Sequence, residues 1–366
     1  MRILMLLSNP LNPDPRVEKE ATTLVKAGHN VTVIAWNREK YEKYEDRDFK
    51  IVRIGPGARY GTMDVVLKLP LFYLHALFQA FRMDFDVVHA HDLDTAPLGF
   101  IISLIKNVPL IYDSHESYPD MIAREVPPII KKIIEKLDIF ISKHSTAVIT
   151  VGNRLASRFK KFGARKVIII GNWKERVATQ SNNHGKFVIS YVGVLTWDRH
   201  VEDMIKAFCN DERFEILVGG YKGREIEVKT LCNKCSNCKF LGKVDPKKIP
   251  EIYKNSDAIY YSLDPSIPNN YYSVPNSLFM ALATGTPMIT LDYGEIGEIV
   301  RKYKCGVVFN SQTPEEIKKA ALNLMKMDLK ENIERAYSDF NWNIAKNRLI
   351  NLYKDIEKSS NQEGKI

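Results

Sequence analysis

The alternation of short apolar segments with amphipathic ones constrains the fold of this chain more than any other feature. RILMLLS (2–8) has the length and composition of a buried strand, and NVTVIAW (30–36) predicts a second one. Between them, PRVEKEATTLVKAGH (15–29) has helical spacing, with Pro15 near its start and Gly28 near its end. The three segments predict a βαβ unit with parallel strands.

The same pattern continues through the first half of the chain and then starts again. Further strands are predicted at 85–91, 108–114, 146–151 and 166–172, with helices at 95–107 and 127–144. After a polar stretch at 174–186, strands follow at 187–193, 213–220, 238–244, 258–264 and 287–293, with a helix at 201–208. This predicts two doubly wound, Rossmann-like α/β domains that face each other across a cleft, with ligands at the carboxyl ends of the strands.

A chain of 366 residues is too long for one compact core, which agrees with two domains. We expect a first domain at 1–173 and a second at 187–345. The remaining helix and tail, 346–366, can pack back on the first domain.

The N-terminus MRILMLLSNP resembles a buried first strand more than a signal peptide, and we expect a cytoplasmic protein. The most apolar stretch, 65–83, is interrupted by polar residues such as Lys68 and Arg82, so no transmembrane helix is predicted.

The net charge of +9 favours anionic partners, either phosphorylated small molecules or an acidic membrane surface. No nucleic-acid-binding motif accompanies the charge, so nucleic acid is not an expected partner. Within 65–83, Leu67, Leu71, Leu74 and Phe78 form one helical stripe. That stripe can lie on an anionic membrane, or the helix can be an internal one packed on the sheet.

Polar, titratable residues follow two strands of the first domain. His91, Asp92 and Asp94 come at the end of strand 85–91. A second group comes at the end of strand 108–114, namely Asp113, His115 and Glu116. Clusters of this kind at strand ends indicate a site. His89 lies inside the apolar strand, and we interpret it as a core residue.

In the second domain, Gly193 ends a strand and Arg199 precedes a helix. A glycine lets the backbone approach a phosphate, and a guanidinium beside a helix N-terminus attracts a diphosphate. The stretch SVPNSLF (273–279) leads into another helix, whose start can hold an anion with Ser277. Neither GxGxxG nor GxxxxGK[ST] occurs here, which disfavours a dinucleotide or Walker site.

The order and spacing of several segments resemble a glycosyltransferase of the GT-B fold, family 4. They are DPRVEKEATTLVKAGHNVTVIAW, DVVHAHDLDTA, YDSHE, YVGVLTWDRHVEDMIKAF, FLGKV and PNSLFMALATGTPMI. No one of these segments is decisive, but the ordered set is specific and covers nearly the whole chain.

The resemblance implies retaining, metal-independent transfer of a sugar from a nucleotide-diphosphate sugar to a sugar or lipid-linked acceptor, without a cofactor. It implies a role in cell-surface polysaccharide, glycolipid or glycan synthesis. Donor phosphates would lie on the second domain and the acceptor on the first. Arg199 matches the phosphate-binding lysine of the family pattern G-R-L-x-x-x-K-G, and His91 matches a histidine near the sugar. We therefore expect catalytic roles for both, and substrate-binding roles for Asp92, His115, Glu116 and Gly193.

The chain departs from the family pattern where that pattern would bind the donor. In the family's P-N-K-L-F-E, Ser277 replaces the lysine and Met280 replaces the glutamate that typically binds the ribose. Val194 stands for the arginine of G-R-L, and Tyr272 for the partner glutamate. Charged hydrogen bonds are worth about 1.5–3 kcal/mol each, so these losses weaken ordinary donor binding.

Two explanations of these departures stay open. Either the donor is held differently, through Tyr271, Tyr272 and Asn276 beside Ser277 and Met280, or the chain has lost transferase activity. Two alternative functions remain. One is a GT-B-fold sugar-nucleotide epimerase that uses His91, Asp113 and Glu116, and the other is a non-catalytic subunit.

The cysteines Cys232, Cys235 and Cys238 form a C-x-x-C-x-x-C pattern, to which Cys209 is a conceivable fourth ligand. Zinc or an iron–sulfur cluster is chemically reasonable there. The resembled family does not use such a site, and Cys238 opens a predicted strand. We therefore expect ordinary reduced thiols and no metal site.

Overall fold

The computed structural model describes residues 1–12, 14–39, 46–59, 63–178 and 185–363. The chain divides into two compact units, Met1–Gly171 together with Ala345–Ile366 (unit 1) and Asn172–Ile344 (unit 2). Each unit is built on a parallel sheet between helices, which confirms the predicted fold class. Of the predicted linker 174–186, residues 179–184 lie outside the described residues.

Unit 1 contains a seven-stranded sheet in the order β3-β2-β1-β4-β5-β6-β7. In chain order its elements are β1 (Arg2–Leu7), α1 (Pro15–Lys26), β2 (Asn30–Trp36), β3 (Lys50–Ile54), α2 (Met63–Phe81), β4 (Val87–His91), α3 (Ala96–Lys106), β5 (Leu110–Ser114), α4 (Tyr118–Met121), α5 (Pro128–His144), β6 (Ala147–Thr150), α6 (Asn153–Lys161) and β7 (Val167–Ile169). β4 and β5 are buried along their whole length, as strands covered on both faces by helices must be.

Helix α2 takes up most of the apolar stretch 65–83 and runs through Pro70 without ending. By length and composition it is the one helix among the described residues that is apolar enough to cross a membrane. Phe72, Ala76 and Ala80 are its buried residues, and the Phe72 ring stacks on Trp36 with 5.1 Å between centroids. One stripe of α2 thus packs on unit 1, while the rest of the helix is largely exposed.

Unit 2 contains a six-stranded sheet in the order β10-β9-β8-β11-β12-β13. Its elements are β8 (Phe187–Val194), α7 (Val201–Phe208), β9 (Phe214–Tyr221), α8 (Glu225–Cys232), β10 (Cys238–Gly242), α9 (Ile249–Lys254), β11 (Ala258–Tyr260), α10 (Asn276–Thr284), β12 (Met288–Leu291), α11 (Gly294–Tyr303), β13 (Gly306–Phe309), α12 (Pro314–Leu324) and α13 (Lys330–Asp339). The last helix, α14 (Trp342–Glu363), starts in unit 2 and continues into unit 1.

In each sheet the strand order reverses beside the first strand of the unit, between β1 and β4 and between β8 and β11. At such a switch point the connections leave in opposite directions and open a crevice at the carboxyl ends of the strands. The candidate residues of each unit are found at these two places.

Candidate functional site

The unit 1 site forms where β4 and β5 end side by side. His91, the last residue of β4, is in register with Asp113 of β5. The chain then turns sharply, because Asp92 takes a left-handed conformation with φ of 61° while its amide donates to the Asp113 carbonyl at 2.8 Å. Aspartate tolerates this conformation better than most residues do. The turn brings the side chains that follow both strands together.

Arg16 holds the Asp113 carboxylate from helix α1. Its Nη2 lies 2.8 Å from Asp113 Oδ1 and its Nε lies 3.3 Å from Oδ2, a two-point contact. Nη1 donates to the Ile170 carbonyl at 2.7 Å, and Nη2 is also 3.2 Å from Glu20 Oε1. Asp113 and Glu20 are both fully buried, so the guanidinium compensates two carboxylates that water cannot reach.

Three imidazoles surround the Oδ2 atom of Asp113. His115 Nε2 is 3.2 Å from it, His91 Nδ1 is 3.3 Å and His89 Nε2 is 3.7 Å. The rings of His89 and His91 stack at 4.3 Å. His89 Nδ1 contacts the Tyr353 hydroxyl of α14 at 2.9 Å. One carboxylate therefore orients the side chains of three strand-end residues.

His115 is also bound to Asp92. Its Nδ1 lies 3.1 Å from Asp92 Oδ2, and its backbone amide donates to Asp92 Oδ1 at 3.1 Å. The side chains of His115 and Asp92 are 18% and 36% exposed, whereas those of His89 and His91 are fully buried. His115 and Asp92 thus form the part of this cluster that solvent or a substrate can reach.

Neighbouring carboxylates and burial shift the pKa values of His115 and His89 in opposite directions. Burial opposes protonation of His115, but the charges of Asp92 and Asp113 raise its pKa well above the usual range. Burial, assisted by the neighbouring His91, lowers the pKa of His89 to about 4. Burial also opposes ionisation of Asp113, yet Arg16 and His115 hold its pKa well below its usual range. At neutral pH the cluster contains an aspartate, an imidazolium and a neutral imidazole.

Four residues of the cluster could hold a cation. One ligand atom each from Glu20, His89, His91 and Asp113 lies within 4.8 Å of the others. The Arg16 guanidinium already contacts both carboxylates of this group and supplies the positive charge that they require. A metal ion there would compete with Arg16 for both carboxylates.

Sequence reasoning expected a site at these strand ends, and the structure brings His91, Asp92, Asp113 and His115 together. His89, interpreted as a core residue, is indeed fully buried but contacts the same Asp113. Glu116 is exposed, and its backbone carbonyl accepts a hydrogen bond from Ser114 Oγ at 2.9 Å. The catalytic and binding roles of these residues stay predictions.

Sequence reasoning missed Arg16, Glu20 and Tyr353. A signal for Glu20 was present, because Val17, Glu20, Ala21 and Leu24 are all buried on one stripe of α1. A glutamate at a buried position of an amphipathic helix requires a partner. Arg16, four residues earlier on the same face, supplies it. Tyr353 had no such signal, because its partner His89 is distant in sequence.

In unit 2, Gly193 lies next to the end of β8 and Arg199 ends a 3-10 helix, Trp197–Arg199, before α7. A Cβ at Gly193 would come within 3.0 Å of the Tyr191 hydroxyl, so the position favours glycine. Arg199 is 22% exposed, and its Nη1 is 3.1 Å from Asp198 Oδ2. This Nη1 is itself buried and donates no hydrogen bond within the described residues, whereas the guanidinium lies over the Tyr261 ring with 5.5 Å from its carbon to the ring centroid.

Helix α10 starts at Asn276 without an acidic residue in its first turn and without a side-chain cap. Ser277 is half-buried and its hydroxyl is hydrogen-bonded to Tyr253. Met280 is half-buried one turn further on. The positive end of this helix therefore meets no carboxylate from its own first turn.

Tyr271 and Tyr272 lie in and just after a 3-10 helix, Pro268–Tyr271. Their rings pack edge to face at 5.2 Å, and Tyr271 also meets Tyr293 at 6.1 Å. A Cβ at Gly294, the first residue of α11, would lie 2.8 Å from the Asn270 carbonyl, so this segment is in close contact with the start of α11. Tyr271 is 44% exposed and presents an aromatic surface.

The cysteines are not all reduced, contrary to the prediction from the sequence. Cys209 and Cys235 form a disulfide, so the expectation of reduced thiols is wrong for these two residues. Cys232, Cys238 and Cys305 are free thiols.

Solved structures of other proteins share this fold. The chain superimposes on sucrose-phosphate synthase from Thermosynechococcus elongatus with a TM-score of 0.80, at 15% identity, over 98% of this chain and 100% of that one. Anabaena HepE in complex with UDP gives a TM-score of 0.67 at 14% identity, over 99% and 100% of the two chains. At these identities the likeness concerns the fold.

In sequence, the chain is 22% identical to the uncharacterized glycosyltransferase MJ1607 of Methanocaldococcus jannaschii, over 91% of this chain and 92% of the relative. The profile of Glycosyltransferase Family 4 matches residues 16–173, and that of Glycosyl transferases group 1 matches residues 171–339. The two matches adjoin and together take in every strand of the two sheets except β1. The chain belongs to the family 4, group 1 glycosyltransferases of the GT-B fold.

Proposed function

We propose that this glycosyltransferase transfers a sugar, with retention of configuration, from a nucleotide-diphosphate sugar to a sugar or lipid-linked acceptor. The observation that carries the proposal is the partly exposed Arg199, which follows the carboxyl end of β8 in the unit 2 sheet. The UDP bound by HepE, a protein of the same fold, supports a nucleotide donor. The reaction fits a role in polysaccharide, glycolipid or glycan synthesis at the cytoplasmic side of a membrane.

On the donor side, Arg199 and the start of α10 stabilise the negative charge of the departing diphosphate. A guanidinium binds phosphate oxygens with two parallel N–H groups, and a helix N-terminus contributes its free amides. Gly193 keeps the backbone accessible to the phosphates. In place of a carboxylate on the ribose, Tyr271, Tyr272 and Asn276 supply aromatic surface and hydrogen bonds.

On the acceptor side, the partly exposed His115 and Asp92 contact the incoming hydroxyl group, and the buried Asp113 holds His115 from beneath. The donor phosphate accepts the proton of that hydroxyl as the new glycosidic bond forms. Preorganised charges around the reacting atoms lower the barrier without a paired acid and base of the glycosidase type. The proposed transfer is metal-independent.

Product analysis distinguishes this function from the alternatives. Incubation with sugar nucleotides and candidate acceptors is expected to give a glycoside with the anomeric configuration of the donor. An epimerised sugar nucleotide formed without acceptor would favour the epimerase. Failure to bind any sugar nucleotide would favour a non-catalytic subunit.

We also propose that unit 1 lies on an anionic membrane through its α2, α3 and α5 face. Leu67 and Leu74 of α2 are 70% and 62% exposed, and Leu104 of the adjacent α3 is 65% exposed. Exposed lysines on α5, among them Lys132 and Lys136, border this surface. Apolar side chains with basic neighbours are typical of interfacial membrane binding.

The first prediction concerns Arg199. Arg199→Ala should weaken binding of nucleotide diphosphates by roughly ten- to a hundred-fold, because a charged hydrogen bond is worth about 1.5–3 kcal/mol. Arg199→Lys should retain part of the affinity. Calorimetric titration with UDP, GDP and ADP measures the change. Arg213→Ala, at an exposed arginine of unit 2, is the control, and equal affinity for the two alanine variants would remove Arg199 from the site.

Met280→Glu tests how the ribose is held. The substitution restores an acceptor one turn into α10, where the helix dipole also favours a carboxylate. We expect the cognate nucleotide to bind several-fold more tightly, by calorimetry, with Met280→Gln as the uncharged control. Weaker binding by a folded Met280→Glu protein would mean that the pocket is built around the methionine.

The charge of His115 gives a pH-dependent prediction. Its imidazole should stay protonated above pH 6.5, while His89 should stay neutral down to about pH 4. Histidine side-chain NMR measures both, and Asp92→Asn should lower the pKa of His115 towards its ordinary value. A group whose pKa is higher in the folded than in the unfolded protein contributes its full stabilisation at pH values below the unfolded-state pKa. This stabilisation is lost as the pH rises through the folded-state pKa. The stability difference between wild type and His115→Gln should therefore shrink in alkaline solution; a His115 that titrates near 6.5 contradicts the arrangement.

Vesicle co-sedimentation tests the membrane face. The Leu67→Glu and Leu74→Glu double variant should lose most of its binding to phosphatidylglycerol vesicles at low salt, because charges replace two exposed leucines that would insert among the lipids. Ile226→Glu, at an isolated exposed residue of unit 2, should bind like the wild type. Wild-type protein that stays in the supernatant contradicts the proposal.

A further inference from the structure

Four of the five cysteines of the chain meet at one place in unit 2. Cys209 follows the last residue of α7, and Cys235 is bonded to it with 5.0 Å between the Cα atoms. Cys232 ends α8, Cys238 begins β10, and their side chains are hydrogen-bonded to each other. Cys305 lies apart from them, buried before β13.

Two successive backbone turns connect Cys232, Cys235 and Cys238. The amide of Cys235 donates to the Cys232 carbonyl at 3.0 Å, and the amide of Cys238 donates to the Cys235 carbonyl at 3.2 Å. The C-x-x-C spacing, used twice, is also the spacing of paired ligands in structural zinc sites.

The fourth cysteine is held there by two asparagines. Asn237 Nδ2 donates to the carbonyls of Phe208 and Asp211, on either side of Cys209, at 2.9 and 3.0 Å. In return, Asn210 Oδ1 accepts from the Ser236 amide at 2.8 Å. These bonds fasten the loop after α7 to the turn between Cys235 and Cys238. The convergence of the four cysteines therefore does not depend on the disulfide alone.

We propose that Cys209, Cys232, Cys235 and Cys238, in their reduced form, bind one Zn²⁺ as a tetrahedral structural site. Zinc bound by four thiolates has bonds of about 2.3 Å and sulfur atoms roughly 4 Å apart, so the Cys209–Cys235 disulfide has to open for the four sulfur atoms to surround one ion. Cys232 and Cys235 are 1% and 4% exposed, so the ion would be largely shielded from water. One ion uses all four sulfur atoms, whereas the disulfide uses two and leaves two neighbouring thiols.

Before zinc can bind, a reductant has to open the disulfide, and a dithiol can serve as that reductant. The dithiol breaks the Cys209–Cys235 bond, donates two electrons and two protons, and becomes a disulfide itself. The four thiols then lose four protons as Zn²⁺ binds, so the site carries a net charge of −2. The lysines at 234 and 239, which alternate with the cysteines, reduce the cost of that charge.

The position of the site gives it a structural role. Cys238 is paired with Ile216 near the start of the sheet, whereas Gly193 is paired with Gly220 near the carboxyl end. Strand β10 is an edge strand that pairs with β9 alone. Zinc would tie this edge strand and α8 to the end of α7, at the opposite end of the sheet from Arg199. We expect the metal to change stability and to leave nucleotide binding unchanged.

The experiment uses the full chain, reduced with a dithiol, loaded with Zn²⁺ and freed of excess metal. Elemental analysis should give about one zinc per chain, and Co²⁺ should give the charge-transfer and d–d bands of a tetrahedral thiolate site. Cys232→Ser and Cys238→Ser should each lower the zinc content roughly tenfold. Cys305→Ser, the matched control, should keep it.

The two serine variants distinguish a zinc site from a cluster that forms only a disulfide, because neither Cys232 nor Cys238 belongs to the Cys209–Cys235 bond. Unchanged zinc content in both, or no zinc in the reduced wild type, overturns the proposal. Should a variant fail to fold, chelation of the wild type is the second measurement. A chelator should lower the melting temperature of the reduced protein, and added Zn²⁺ should restore it; a melting temperature that does not respond also overturns the proposal. Nucleotide binding by the chelated protein reports separately on the glycosyltransferase site.

Discussion

The buried ion pair between Arg16 and Asp113 is the interaction on which the unit 1 site depends. Removal of two charges from water costs several kcal/mol per ion, and only close geometry and further hydrogen bonds repay it. Here the repayment comes from the two-point contact and from the Ile170 carbonyl. Because α1, β5 and the segment after β7 all supply a partner, the position of one guanidinium fixes three parts of the unit against one another.

The Asp113 carboxylate has little hydrogen-bonding capacity left for further groups. Its Oδ1 accepts from Arg16, and its Oδ2 accepts from Arg16 and contacts His115. A carboxylate offers about four acceptor positions, and these contacts take most of them. His91, at 3.3 Å, makes no hydrogen bond from either ring nitrogen within the described residues. The imidazole beneath the exposed pair thus keeps hydrogen-bonding capacity that the protein itself does not use.

Much of the fold follows from local pattern, and the exceptions have physical reasons. The strands at 2–8 and 30–36 are continuous apolar runs, and the structure has strands there. β3 was not predicted, because KIVRI is charged at two of its five positions and none of its residues is buried. It is the edge strand of the sheet, where polar residues are tolerated.

The candidate sites were predictable to the extent that they depend on strand ends. His91 and Asp113 follow from the sequence because parallel strands end at a common edge. Their buried partners do not follow from the sequence, because Arg16 and Tyr353 come from distant segments.

The cysteines illustrate the same division. Spacing alone gives the turns through Cys232, Cys235 and Cys238, whereas the approach of Cys209 depends on Asn237 contacts that span more than twenty residues of sequence. Long-range polar contacts of buried groups are therefore the part of such a site that only the folded chain supplies.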